Sequence, residues 1–287
     1  MTTPLLPQQI APVDDRQSEL TRRYLTGDHK ALFGYFMALR AETDRHLASA
    51  LPAVGGKPYP YGRCEEITRD LFARLAQRLQ RPDCAVEQGL RAFADAGGIL
   101  RSVWGVLRDQ YFQNALQLGG LYVDVSNDTV VVTKPKIEIL PIDACGLVPV
   151  RDLDHFRRTA QAYWGAELYA NHLVPTLAPL LPILSVSPGK LAPGLQSACD
   201  YMIALMRLDR FRQAEAWLAE GPPPPEALTA SFLAGVPADL HPLTGQRREE
   251  ALLVCRRAQA AGCWGDDGWR NARVLDYLRL LREAGHR

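Results

Sequence analysis

The sequence has no surplus of one charge. Lys plus Arg number 33 against 32 Asp plus Glu, a formal net charge of +1 over 287 residues. No global field draws such a chain to a polyanion, and no basic patch interleaved with aromatics substitutes for one, so no nucleic acid is expected as a partner. Long apolar runs are missing as well. The most apolar stretch, His172 to Val186, is interrupted by Pro175, Pro179 and Pro182, so no membrane partner is expected. The start, MTTPLLPQQIAPVDD, has neither a basic segment nor a continuous apolar one, so a secretory leader is not expected. Six cysteines, at 64, 84, 145, 199, 255 and 263, form no C-x-x-C pair. This argues against a zinc ribbon or a thioredoxin-like site and fits reduced thiols in a bacterial-type cytoplasm. GxGxxG, P-loop and GxSxG motifs are absent, and Gly189 and Gly194 of SVSPGKLAPG lack the strand-to-helix setting that a phosphate loop needs. A helical di-iron centre needs repeated acid-x-x-His pairs, and Asp152 to His155 supplies one. Neither a metal nor a cofactor is therefore expected.

What is present is enough apolar residue, 47%, for a packed core. The pattern predicts an α+β protein, mainly helical, with a small antiparallel β-sheet at about residues 99–142 and a helical C-terminal part. Residues 1–14 read as a loose leader. Asp15 is positioned to cap a short helix to Leu25, and Asp28 a longer one to Leu51. PAVGGKPYPYGR reads as loop. A third helix starts near Cys64 with Ile67, Leu71, Leu75 and Leu79 four apart, and a fourth follows Asp83 and stops at Gly97-Gly98. Beyond residue 150 the signal is helical to the end. ACDYMIALMRLDRFRQAEAWLAEG resembles one tetratricopeptide-type hairpin turning near Asp209, without a second copy. EGPPPPEA reads as a stiff linker, and the last helices fall at about 246–261 and 267–284. The expected division is 1–150, helices plus sheet, and 151–287, all helical and able to share the same core.

The first candidate for chemistry is Cys64. At a helix N-terminus the dipole and free N–H groups stabilise a thiolate and a developing oxyanion. Arg63 would add positive charge, while Glu65 and Glu66 oppose it. Cys64 also lies on the apolar stripe, three residues before Ile67, which is where a buried structural cysteine would stand.

The second candidate is a hairpin turning at Gly119-Gly120 between FQNALQL and LYVDVSN. That turn pairs Leu118 with Leu121, Gln117 with Tyr122 and Leu116 with Val123. Alternation then puts Leu116, Leu118, Leu121, Val123 and Val125 on one face, with Phe112 and Asn114 at its end. Gln113, Ala115, Gln117, Tyr122, Asp124 and Ser126 share the other. That face is polar yet lacks Lys and Glu, and is expected to line a cleft rather than meet water. Trp104, Tyr111, Tyr122 and Trp164 read as core or cleft wall. Asn127-Asp128 reads as a turn between strands, with Asp128 and Lys134 serving its local geometry.

GRCEE at 62–66 followed by the strand pair FQNALQL/LYVDVSND resembles the transglutaminase-like cysteine enzymes, which include peptide N-glycanases and are related to papain-like folds. The resemblance covers about a third of the chain. It implies that Cys64 is the nucleophile, that Asp124 is the family's aspartate, and that the activity is thiol-dependent acyl transfer or amide hydrolysis. The family's base is a histidine on the first hairpin strand. Here Gln113, Asn114 and Ala115 stand there, and the six histidines (29, 46, 155, 172, 241 and 286) all lie outside 64–124. A neutral amide cannot take a thiol proton. Three readings stay open: a dead site used for binding, a histidine such as His46 or His155 brought in by folding, or a pre-formed thiolate with Gln113 or Asn114 as oxyanion donor. The expected catalytic set is Cys64, Asp124 and Gln113, and the expected binding set is Arg63, Trp104, Asn114, Gln117, Tyr122 and Ser126. The partner would be a small-molecule or peptide substrate. The competing function is an inactive scaffold that binds a protein through the polar hairpin face or the C-terminal helices.

Overall fold

The computed structural model describes residues 5–186, 194–195 and 200–285. Gly189 and Cys199 lie outside the described residues, as does the start of the tetratricopeptide-type segment. The chain divides into two compact units, Met1–Pro149 and Val150–Arg287. Helices and antiparallel sheet occur together, which bears out the α+β class.

The first unit opens with four helices. Helix α1, Asp15–Tyr24, is capped by Asp14 rather than Asp15, the Asp14 carboxylate accepting the Gln17 N–H at 2.8 Å. Asp28 caps α2, His29–Leu47, by accepting the Ala31 N–H. Helix α3 runs Cys64–Arg78, and α4, Ala85–Asp95, begins after Cys84. Asp83 does not cap α4; the Glu87 carboxylate instead reaches back to the Asp83 N–H at 2.8 Å. Gly97 ends α4 in the left-handed region, φ +87°, which glycine enters without a Cβ clash.

Five strands follow: β1 Leu100–Leu107, β2 Tyr111–Leu118, β3 Leu121–Asp124, β4 Glu138–Pro141 and β5 Leu147–Val148. They form one antiparallel sheet in the order β4-β3-β2-β1-β5. The β2–β3 register is Leu118 to Leu121, Gln117 to Tyr122 and Leu116 to Val123. Leu116, Leu118, Leu121, Val123 and Val125 pack against Phe36, Leu39, Leu71, Leu75, Leu90 and Phe93 from three helices. The opposite face is also covered. The Gln117 side chain bonds both backbone groups of Ala11 in the leader, at 2.8 and 2.9 Å, so residues 9–13 are tied down rather than loose.

The segment TVVVTKPK is a loop. Asp128 does more than shape a turn: its carboxylate takes two bonds from Arg40, at 2.8 and 3.1 Å, and Arg40 is 0% exposed. Arg40 also donates to Val125 O and to Asp44, which in turn holds Tyr59 and Lys136. Lys134 likewise reaches beyond the turn, to the Tyr111 hydroxyl at 3.4 Å.

The second unit is not all helical. Strands β6 Glu167–Ala170, β7 Ile183–Val186 and β8 Gly194–Leu195 form a small antiparallel sheet among α5 Leu153–Trp164, α6 Asp200–Leu208, α7 Arg212–Glu220, α8 Glu226–Leu233, α9 Arg247–Ala260 and α10 Asp267–Gly285. Strands of two to four residues between prolines carry too few positions for alternation to register. The α6–α7 turn falls where the pattern put it, with Arg210 and Phe211 at φ +62° and +63°.

Candidate functional site

Helix α3 begins after Arg63, which makes no side-chain cap bond. Gly62 is left-handed, φ +70°, and its N–H donates to Thr129 O at 2.8 Å. Arg63 does not serve the thiol. Its guanidinium donates to Glu66 and to Pro52 O, both at 2.6 Å. Cys64 follows as the first helical residue. Its sulfur accepts from the Asn114 side-chain amide at 3.5 Å. Cys64 is half-buried as a residue, yet burial of the sulfur is the main cause that pushes the thiol up to about 11. The Asp124 and Glu66 charges push the same way, and the Asn114 bonds work against them. The group is therefore a neutral thiol at physiological pH, whatever the helix dipole contributes.

Asp124 sits in a different cluster. Its carboxylate accepts from Gln113 Nε2 at 2.7 Å, Tyr122 OH at 3.1 Å and the Ser126 N–H at 2.8 Å. Among the described residues no cation bonds it, and burial pushes it up to about 6. The same carboxylate pushes the Tyr122 hydroxyl up, behind burial as the first cause. Gln113 Oε1 is buried without a partner.

Gln113 and Asn114 are neighbours on β2, so their side chains leave opposite faces of the sheet. Cys64 meets the sheet through Asn114, and Asp124 through Gln113. Among the described residues Asp124 does not bond the Cys64 sulfur, though its charge is near enough to push the thiol up. The polar face is no cleft wall either: Gln113, Gln117, Tyr122, Asp124 and Ser126 are each 1% exposed or less. It is a buried, largely self-satisfied polar layer, and Gln117 serves the leader and Gly119 O. Ser126 lies past the end of β3 and joins the two groups. Its hydroxyl is within bonding distance of Asp124 at 3.3 Å, of Asn114 O at 3.2 Å and of Thr68 Oγ1 at 3.4 Å.

The open space lies on the Cys64 side. A cleft of about 340 Å³ runs between α3 and the β1–β2 floor. Thr68, Phe72, Ala73 and Ala76 line it from the helix, and Ser102 and Asn114 from the sheet, with Gln8, Glu65 and Arg69 at its edges. Its size suits a small ligand or a few peptide side chains. Trp104 is half-buried beside it, stacked on Phe112 with centroids 5.2 Å apart. Thr68 is one turn beyond Cys64, and that spacing could have flagged it. Ser102 could be found only by pairing β1 with β2, which sets it opposite Leu116.

Among the described residues no histidine is a hydrogen-bond partner of the Cys64 thiol. His46 pairs with Asp70 at 2.7 Å, exposed on α2. His155 belongs to the second unit and takes the Arg151 N–H at 3.3 Å. Among the described residues there is also no group of three or more His, Cys, Asp or Glu placed to hold a metal ion, and no helix long and apolar enough to cross a membrane. No family model, no curated protein and no solved structure matches the chain.

Proposed function

We propose that the first unit is a binding module rather than a thiol enzyme, and that its ligand lies in the α3–β1–β2 cleft. One observation carries this reading: the partner of the Cys64 sulfur is the Asn114 amide, a donor that cannot take a proton. A nucleophile needs either a base within reach or a thiol poised near neutrality, and burial moves this thiol up to about 11 instead. The cleft has the complementary qualities of a binding site. Phe72, Ala73 and Ala76 offer apolar surface, and Ser102, Thr68 and Asn114 offer hydrogen bonds. An amide-bearing ligand with an apolar body, such as a short peptide, fits that mixture.

Two measurements test it. Alkylation by iodoacetamide across pH 6–11, read at Cys64 by mass spectrometry, is expected to titrate above the free-thiol value of about 8.5. A midpoint below that value would return Cys64 to the role of nucleophile. Linear heptapeptides of random sequence, displayed on phage and then synthesised, supply the binding probe. Peptides that bind the wild-type protein are expected to lose affinity for Ala76→Glu, which puts a carboxylate into the cleft at an exposed helix position. Unchanged affinity, or the absence of any binder, overturns the assignment.

A further inference from the structure

The cleft opens beside an incomplete strand edge. Strand β1 pairs with β2 along its whole length, but β5 covers its outer side only at Val106 and Leu107. The Trp104 N–H points to that outer side, donating to Gln8 O at 2.8 Å. The two-residue period of a strand sends the backbone groups of Ser102 and Leu100 outward as well. Among the described residues nothing bonds their N–H groups. From Leu5 onward the leader does not continue along the edge. Gln9 N–H closes a turn onto Leu6 O at 3.1 Å, with Gln8 at φ +55°, so one carbonyl docks and the chain turns away.

Resting on the cleft being a binding site, we infer that its ligand is an extended peptide segment of a partner protein, which adds as a strand to the Leu100–Ser102 edge, next to the Gln8 O that holds Trp104. Gln8 O already occupies the place of one carbonyl of such a strand and marks the line it would follow. Along that line alternate side chains of the peptide turn toward the helix side of the sheet, where the cleft of about 340 Å³ begins at Ser102. The residues they meet set the chemistry. Phe72, Ala73 and Ala76 favour small or apolar side chains. Glu65 and Arg69 neutralise one another across 3.4 Å, so the rim selects neither sign of charge. Main-chain hydrogen bonds supply affinity without dictating sequence. An exposed strand edge is otherwise a hazard for self-pairing; here the Arg101 side chain and the Leu6–Gln9 turn flank it.

The heptapeptides described above are the probe. Ser102→Pro removes an N–H that the sheet does not use, so the fold tolerates it, while the ring blocks an added strand. Affinity is expected to fall about tenfold or more on Ser102→Pro, the loss of one to two main-chain bonds. Peptides N-methylated at every second residue should weaken similarly on the wild-type protein, and those methylated at the intervening residues should not. This second arm decides even where Ser102→Pro does not fold. Equal binding to folded Ser102→Pro, or an N-methyl profile without alternation, overturns strand addition. If Ala76→Glu still abolishes binding in that case, the cleft stands and only the mode fails. If no peptide binds at all, both fail.

Discussion

At the scale of single residues, Asp124 shows what burial does to a carboxylate that several neutral donors surround. It accepts from Gln113, from Tyr122 and from both the N–H and the hydroxyl of Ser126, no cation bonds it among the described residues, and desolvation dominates, raising its carboxyl from 3.8 to about 6. The folded state therefore holds a proton that the unfolded state releases between about pH 4 and 6, and stability falls as pH rises through that window. The full cost, on the order of 3 kcal/mol for a shift of about two units, is present above about pH 7. Asp44, Asp70 and Glu87 are moved the other way and gain stability as pH rises, so the wild-type curve alone mixes both signs. Asp124→Asn isolates the term. Urea unfolding is expected to show the wild type losing ground to the variant from pH 4 to 6, with a constant difference above pH 7. A difference independent of pH would mean that Asp124 stays ionised throughout. The environment of the Cys64 thiol is likewise set by what packs around it. Position at a helix N-terminus is legible from Gly62 onward in the sequence, but the Asn114 contact and the burial of the sulfur depend on packing between elements fifty residues apart.

At the scale of elements, the hairpin was legible because its register follows from chemistry within a few residues. Gly119 is left-handed, φ +56°, and the Thr21 hydroxyl and Phe93 ring close in where a Cβ would stand. The Gly120 N–H is then capped by Thr21 Oγ1 at 2.8 Å. Gly119→Ala is expected to destabilise the protein by about 1–3 kcal/mol, from the left-handed backbone and the crowding together. Thermal or urea denaturation measures it, and a neutral substitution would show that the turn relaxes away from α1. The TVVVTKPK loop was not legible on the same grounds. The run TVVVTKPKIEILPI reads as one or two strands; β4 supplies one of them, while the first part of the run is held as a loop by contacts distant in sequence. Arg40 takes Asp128 from 88 positions away, and Gly62 binds Thr129 O. Such tertiary bonds override local propensity. The polar strand face was legible as a face, while its covering by the leader was not, because Gln117 and Ala11 lie 106 residues apart.

At the scale of the whole molecule, the first unit contains everything the proposed binding site needs. Thr68, Phe72, Ala76, Ser102 and Asn114 all lie within Met1–Pro149. Its core is built from α2, α3, α4 and one sheet face, its leader ties down the other face, and its buried cation Arg40 has all its named partners inside the same unit. A set of elements that buries its own apolar face and pairs its own buried charges meets the requirements of an autonomous domain. A fragment ending at Pro149 is therefore expected to unfold in a single cooperative thermal transition and to bind the same heptapeptides as the full chain. Helical circular dichroism without a cooperative transition would show instead that the second unit contributes to the stability of the first. Binding by the full chain but not by a cooperatively folded fragment would move part of the site into residues 150–287.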